Sequence, residues 1–338
     1  MPLVAHSKLP AFEALSREGL ELVGALTAAA SGLPALRIGL LNLMPDTALQ
    51  ATERQFLRLI DAGGPDMNLY VYPFSLTSEF RGNSAEEYVA EHYSSFESLQ
   101  EQGLDALIIT GANPAMPDIT DEAFWRPLID VIDWSRNHVE SIICSCLATH
   151  VVLQHYHQVE RIELPERRWG VYEHQVLVED HPLLTGVTTP VHAPHSHRYD
   201  VSRAAMESAG QTVLIAGAEA GVHMAVSDDQ FRFVFFQGHP EYDSISLLKE
   251  FKREVQQFLS GKRSVYPPFP QDYLDSAVKE RLEAYQRQAT ESDSEFATLP
   301  VFPEAEFGDV CFNSWGVAGK TIYRNWLAEV LRRSSAQG

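Results

Sequence analysis

The chain has little cysteine and no long apolar run. Three of its 338 residues are cysteine, which is too few for a disulfide framework, and their spacing does not fit a zinc site. A membrane-spanning helix needs about 18 consecutive apolar residues, and we find no such run. The first residues show no signal-peptide pattern either, so we expect a soluble, cytoplasmic protein.

Basic residues are also scarce. Acidic residues outnumber them by 46 to 26, which gives a formal net charge of −20. Because contacts with nucleic-acid or lipid phosphates need a basic surface, this charge argues against nucleic acid and membrane as partners. A small anionic substrate is still compatible with it, since a local cationic pocket can override the field of the whole protein.

What the chain does contain is an alternation of short apolar strands and helices. The pattern predicts strands at 36–43, 68–74, 105–110, 140–144, 169–178, 212–216, 222–227 and 232–236. It predicts helices at 48–62, 85–93, 121–138, 147–155, 243–259, 272–288 and 320–333. Such alternation is typical of an α/β fold with a mostly parallel sheet flanked by helices.

The punctuation of the chain suggests three parts. We predict an N-terminal arm over 1–34, a catalytic domain over 35–260, and a C-terminal extension over 261–338. We expect the extension to contain an added helix and a terminal helix that packs on the catalytic domain. Two segments are predicted as loops: 190–199, which is rich in proline and histidine, and the acidic stretch 290–307.

Two short segments have the residues of a Cys-His-Glu triad. Cys146 follows the apolar run 141–143, and His239 and Glu241 follow the apolar run 233–236. In such a triad the thiolate attacks, the imidazole carries the proton, and the carboxylate orients the imidazole. The alternative is an inert core cysteine, which is the commoner role of a lone cysteine at a strand end.

The positions of these residues favour the triad. In parallel sheets, ligands bind beyond the carboxyl ends of the strands. The loop 110–115, Cys146 and His239 all follow predicted strand ends. We therefore expect them at one edge of the sheet.

The order of several segments closely resembles the homoserine O-acyltransferase family, of the homoserine O-succinyltransferase type, whose fold is similar to class I glutamine amidotransferases. The matching segments are RIGLLNLMP (37–45), ERQFLRLI (53–60), DALIITGA (105–112), WGVYEHQVL (169–177), APHS (193–196), QGHPEYD (237–243) and NWLAEVL (325–331). They span most of 35–260 and the terminal helix.

The resemblance implies a ping-pong acyl transfer on the route to methionine. An acyl-CoA, most plausibly succinyl-CoA, would acylate Cys146, and the hydroxyl of homoserine would then attack the acyl-enzyme. His239 would be the general base and Glu241 its orienter. The resemblance further implies a homodimer with small-molecule substrates, acyl-CoA as co-substrate, and no bound cofactor or metal.

The resemblance also assigns binding residues. It places Arg253 on the carboxylate of the amino-acid substrate and Ser196 at an active-site serine. Arg167 stands where the family has a lysine, and together with Arg168 it could hold the distal carboxylate of a succinyl group. Arg198 corresponds to the arginine that follows the serine in the family, with one extra residue between them.

Other positions near these motifs have weaker assignments. Glu173 and His174 either stabilise the site from behind or form an exposed pair at a strand edge. His195 is expected to be structural.

We expect the oxyanion of the reaction to be held by two backbone N–H groups, those of Leu147 and Ala115, because Pro114 has none. Ala115 also bears on the acyl donor. In the family a small residue there goes with succinyl-CoA and a glutamate with acetyl-CoA, since a carboxylate would repel the succinyl group.

Four other functions remain open at this point. Acetyl-CoA could be the donor, and serine could replace homoserine as the acceptor, because one methylene contributes only about 1–3 kcal/mol to discrimination. A glutamine amidotransferase-like hydrolase is less favoured, because that class usually flanks its nucleophile with glycines, and here Cys144 and Ala148 stand in those positions. A non-catalytic homologue would keep the fold alone.

Overall fold

The computed structural model describes residues 3–64, 66–76, 81–291, 301–307 and 311–336. The strands are β1 (Val4–Ala5), β2 (Val23–Gly24), β3 (Ala35–Leu41), β4 (Asn68–Phe74), β5 (Ala106–Ile109), β6 (Ser141–Ser145), β7 (Ile162–Val176), β8 (Val191–Asp200), β9 (Thr212–Gly217), β10 (Gly221–Val226) and β11 (Phe233–Phe236). The helices are α1 (Pro10–Arg17), α2 (Ala25–Ala30), α3 (Leu49–Ile60), α4 (Asn83–His92), α5 (Phe96–Gln102), α6 (Trp125–His138), α7 (Leu147–His157), α8 (Arg203–Ser208), α9 (Ser246–Leu259), α10 (Ser276–Glu291) and α11 (Gly316–Ala336).

Nine of these strands form one sheet in the order β4-β3-β5-β6-β11-β10-β9-β7-β8. The first five strands in this order, β4 to β11, are parallel to one another. From β11 onward, each strand is antiparallel to the next. The predicted α/β class is therefore confirmed, with a mixed rather than wholly parallel sheet. The parallel strands end together, as the sequence pattern requires, so β5, β6 and β11 deliver their following loops to one edge.

Helices cover both faces of the parallel half. Along β6, Ile143 faces a core shared with α1, α3 and α11, while Ile142 and Cys144 face a core shared with α5, α6 and α7. This alternation follows from the period of two in a strand, and it explains why β6 is buried along its whole length. Cys144 consequently points into packed side chains, with no accessible surface.

The prediction of a loop at 190–199 is wrong. These residues form β8, which pairs antiparallel with β7 at the edge of the sheet. Pro194 lies opposite Val171 in this pair. Proline lacks the N–H that an inner strand must donate, but an edge strand tolerates it. β7 likewise begins at Ile162, earlier than the predicted 169.

The two ends of the chain pack on the same core. Phe12 and Leu15 of α1 and Trp326 of α11 are buried in one apolar cluster with β3. A third cluster joins α9 and α10 to the middle of β7, where Phe251 packs against Trp169. The division into arm, catalytic domain and extension stays a prediction. Of the acidic stretch 290–307, predicted as a loop, residues 292–300 lie outside the described residues, while 290–291 end α10 and Glu304–Glu306 form a short 3-10 helix.

Within the segments that the structure describes, no helix combines the length and the apolar character needed to cross a bilayer.

Gly238, between β11 and His239, is packed too tightly for a side chain. A Cβ atom there would lie 2.7 Å from His223 Nδ1, 2.8 Å from His195 Nε2 and 3.0 Å from the Pro194 carbonyl oxygen. We expect Gly238→Ala to lower the free energy of unfolding by about 1–3 kcal/mol because of overpacking. Urea denaturation measures this.

Gly24→Ala is the matched control, since a Cβ at Gly24 would meet nothing within 4 Å. If Gly238→Ala unfolds at the same urea concentration as the parent protein, the packing described here is wrong.

Candidate active site

Cys146 occupies a sharp turn between β6 and α7. Its backbone dihedrals are φ 48° and ψ −102°, a conformation that non-glycine residues rarely adopt. Strain of this kind costs about 1–3 kcal/mol and persists where the surroundings enforce it. Here the Cys146 N–H donates a hydrogen bond of 2.6 Å to the Phe236 carbonyl oxygen, the last residue of β11. The nucleophile candidate is therefore fixed to the strand that precedes His239.

His239 and Glu241 form a buried pair just beyond β11. The His239 Nδ1 atom lies 2.8 Å from Glu241 Oε1, and the two residues are 6% and 7% exposed. The His239 N–H donates to the Pro194 carbonyl oxygen, and its ring stacks on Tyr242 with 4.4 Å between centroids. These contacts fix the imidazole in position and orientation.

The charge state of His239 follows from its neighbours. Burial acts to lower the pKa of its imidazole, but the charge of Glu241 and hydrogen bonding to Cys146 and Glu241 outweigh it and raise the pKa well above 6.5. Nε2 has no hydrogen-bond partner of ordinary geometry among the described residues, yet the Cys146 sulfur is close enough to contribute. The three candidate residues thus form one electrostatic unit.

A cavity of about 750 Å³ opens beside Cys146. Leu147, His150 and the loop residues 112–114 line it on the Cys146 side. Trp169 and Tyr199 supply aromatic surface. Five arginines line the same cavity: Arg161, Arg167, Arg198, Arg253 and Arg263. A protein with a net charge of −20 therefore has a cavity rich in cations, which suits anionic substrates.

Ser196 and Arg167, both predicted from the sequence, lie in contact. An Arg167 N–H donates to Ser196 Oγ at 2.5 Å, and both side chains also bind Glu250. Glu250 further accepts hydrogen bonds from Trp169 and Tyr242. It therefore joins the cavity to the tyrosine that stacks on His239.

Sequence reasoning missed Glu250. A weak signal was present, because Glu250 lies one helical turn before Arg253, off the apolar stripe of α9.

The other predicted arginines differ in their partners. Arg253 lines the cavity and makes no ion pair with any carboxylate of the described segments. Arg198 is exposed and lies 3.5 Å from Glu163. Arg168, suggested for the distal carboxylate, is held by Asp200 at 2.5 Å and does not line the cavity.

Of the two N–H groups expected to bind the oxyanion, one is free within the described part of the chain and the other is already hydrogen-bonded. Leu147 is the first residue of α7, so its N–H has no acceptor within the helix. The Ala115 N–H is already engaged, because it donates to Glu122 Oε1 at 2.6 Å, and Ala115 is exposed and does not line the cavity. The expectation for Ala115 as oxyanion donor therefore needs correction. Ala112, three residues earlier in the same loop, lines the cavity.

Glu173 and His174 separate in the structure. Glu173 is exposed, whereas His174 is buried and its Nε2 lies 3.1 Å from His195 Nε2. A layer of buried imidazoles lies behind His239: His174, His195, His197 and His223. Burial lowers the pKa of each of them, that of His174 to about 4. No group of His, Cys, Asp and Glu in the described segments is arranged to hold a metal ion.

Comparison with known proteins places the whole chain in one family. Residues 2–335 match the family model described as homoserine O-succinyltransferase. Proteins of that name from Thiothrix nivea, Methylococcus capsulatus and Nitrosococcus oceani are 46%, 44% and 47% identical over 330 residues. The matches cover 98% of this chain and 92%, 93% and 92% of those relatives.

Solved structures that are similar include two glutamine amidotransferases. The protein from Methylobacillus flagellatus has a TM-score of 0.48 at 12% identity, covering 88% of this chain and 95% of its own. That from Thermotoga maritima has a TM-score of 0.44 at 9% identity, covering 88% and 98%.

Replacing Glu241 with glutamine should lower the pKa of His239. The variant loses the carboxylate charge that keeps the imidazole protonated, while burial, which favours the neutral ring, remains. NMR titration of the imidazole nitrogens should show His239 still protonated above pH 6.5 in the parent protein and titrating at lower pH in Glu241→Gln.

Glu173→Gln serves as the control, because the Glu173 carboxylate is exposed and is not a hydrogen-bond partner of His239. An unchanged titration of His239 in Glu241→Gln would remove Glu241 as the source of the raised pKa.

Proposed function

Since the chain belongs to the homoserine O-succinyltransferase family, we propose that it transfers a succinyl group from succinyl-CoA to the hydroxyl of L-homoserine through a thioester on Cys146. The observation that carries this proposal is the strained turn at Cys146, fixed beside the buried His239–Glu241 pair at the edge of a cationic cavity. A thiol, a base and a carboxylate in that arrangement suit acyl transfer.

In the first step, the Cys146 thiolate attacks the thioester carbonyl carbon of succinyl-CoA. The carbonyl oxygen becomes an oxyanion, for which the free Leu147 N–H and the Ala112 N–H are the proposed donors. The intermediate collapses as the carbon–sulfur bond to CoA breaks, and the His239 imidazolium gives its proton to the departing thiolate. One thioester replaces another, so little energy is lost.

The second step needs His239 as a base. Acylation turns the Cys146 thiolate into a neutral thioester, which removes one of the negative charges that raise the pKa of His239. The imidazole, neutral after the first step, then accepts the proton of the homoserine hydroxyl. The oxygen attacks the thioester carbon, Cys146 leaves as thiolate, and the imidazolium–thiolate pair is restored.

The acceptor binds through its carboxylate. Arg253 lines the cavity and has no acidic partner in the described part of the chain, so its guanidinium is available to a carboxylate ligand. We assign it to homoserine. Ser196 and Arg167, oriented by Glu250, form the neighbouring wall, and Arg198 stands at the exposed rim.

Further properties belong to this proposal. Ala115, a small residue beside the cavity loop, fits succinyl-CoA as the donor by the family pattern. The enzyme is proposed to act in the cytoplasm as a homodimer, with acyl-CoA as a substrate and without a bound cofactor or metal.

Incubation with radiolabelled succinyl-CoA tests the acyl-enzyme. The parent protein should retain an acid-stable, hydroxylamine-labile label, whereas Cys146→Ala should retain none and lose transfer to homoserine by at least about a thousandfold. Liquid scintillation counting of the precipitated protein measures the label.

Cys144→Ala is the matched control, because Cys144 is fully buried two residues away and burial raises the pKa of its thiol. It should keep both label and activity. Label that is lost from Cys144→Ala and kept by Cys146→Ala would identify the other thiol as the nucleophile, and no label with any acyl-CoA would refute an acyl-enzyme.

Arg253→Gln should impair the acceptor half of the reaction alone. Loss of a charge-assisted hydrogen bond predicts a rise in KM for homoserine of about 10- to 100-fold. The rate of CoA release in the absence of homoserine should be unchanged, because that half-reaction does not involve the acceptor. An equal loss in both half-reactions would contradict the assignment.

A further inference from the structure

Two arginines of the cavity have no carboxylate partner. Three of the five that line it each lie within 4.0 Å of a glutamate: Arg167, Arg198 and Arg263. Arg161 and Arg253 form no such pair within the described segments. The proposed reaction brings two carboxylates into this cavity, that of homoserine and that at the far end of the succinyl group. Arg253 is already assigned to the first.

Arg161 is held firmly, yet two of its donor nitrogens are unused. Its Nη2 donates to the carbonyl oxygens of Met116 and Pro117 at 2.7 and 2.9 Å, and its guanidinium lies 3.9 Å from the centroid of the Tyr199 ring. Nε and Nη1 are buried and have no partner in the described chain. A buried donor without an acceptor costs about 1–3 kcal/mol, so an incoming anion would gain from binding here.

The position of Arg161 suits the acyl group. Its guanidinium is hydrogen-bonded to residues 116–117, which directly continue the loop 112–114 that lines the cavity on the Cys146 side. Burial lowers the pKa of Arg161, and the nearby acidic groups Glu122, Asp118 and Cys146 oppose this shift. In the succinyl group, the distal carboxylate is separated from the reacting carbonyl by three carbon–carbon bonds of about 1.5 Å each.

We propose that Arg161 binds the distal carboxylate of the succinyl group, both in succinyl-CoA and in the thioester on Cys146. This rests on the proposed function and names the residue that selects its donor. Arg168 cannot serve, because it is bound to Asp200 outside the cavity. Arg167 is already neutralised by Glu250 and Glu254. With Arg253 assigned to homoserine, Arg161 is the remaining arginine of the described cavity wall without a carboxylate partner.

The acylation half-reaction tests this assignment. Release of CoA without homoserine is measured with succinyl-CoA and with butyryl-CoA, which has the same chain length and a methyl group in place of the carboxylate. Arg161→Gln should slow acylation by succinyl-CoA about 10- to 100-fold. With butyryl-CoA the rate should change less than about threefold, because no charge is lost. Arg161→Lys, which keeps the charge, should retain part of the preference for succinyl-CoA.

Arg263→Gln is the matched control. That arginine lines the same cavity but already pairs with Glu254 at 2.8 Å, so its removal should leave the ratio of the two donors unchanged. An equal loss with both donors in Arg161→Gln would show that Arg161 merely supports the 116–117 loop, and no loss with either would also overturn the assignment. A parent protein that releases CoA from neither donor would instead refute the proposed function.

Discussion

The backbone hydrogen bond from the Cys146 N–H to the Phe236 carbonyl oxygen joins the ends of two neighbouring parallel strands. β6 and β11 are paired in register up to Ser145 and Phe236, so the residues that follow them leave the sheet at the same level. The bond fixes the left-handed backbone of Cys146 and also sets the start of the segment that holds His239. Nucleophile and imidazole, far apart in the chain, thus share a single anchor.

A second set of contacts extends from this anchor into the cavity. Tyr242 stacks on His239 and donates a hydrogen bond to Glu250. Glu250 also accepts hydrogen bonds from Ser196 and Arg167. The imidazole is therefore joined to the polar wall by ring stacking, and the wall itself by hydrogen bonds. Glu250 accepts hydrogen bonds from Arg167, Ser196, Trp169 and Tyr242, so the wall is held in place before any substrate arrives.

The sequence pattern was sufficient for the parallel half of the fold and for the placement of Cys146 and the His239–Glu241 pair at one edge of the sheet. Short apolar runs that end just before Cys146 and before His239 predict strand ends, and parallel strands bring their ends together. It was insufficient for 190–199, because proline and histidine hide the alternation of an edge strand. It also missed Arg161 and Glu250. Their roles depend on which partners are available in space, and arginine and glutamate on a helix or loop look the same whether paired or not.

The layer of buried imidazoles behind the triad affects how the protein responds to acid. His174, His195, His197 and His223 have lowered pKa values in the folded protein because they are buried, whereas in an unfolded chain each returns to about 6.5. Below that pH the unfolded chain binds protons at these histidines and the folded chain does not. The free energy of unfolding therefore decreases as the pH falls. The layer that packs uncharged against Gly238 therefore contributes less to the stability of the folded protein as the pH falls below about 6.5.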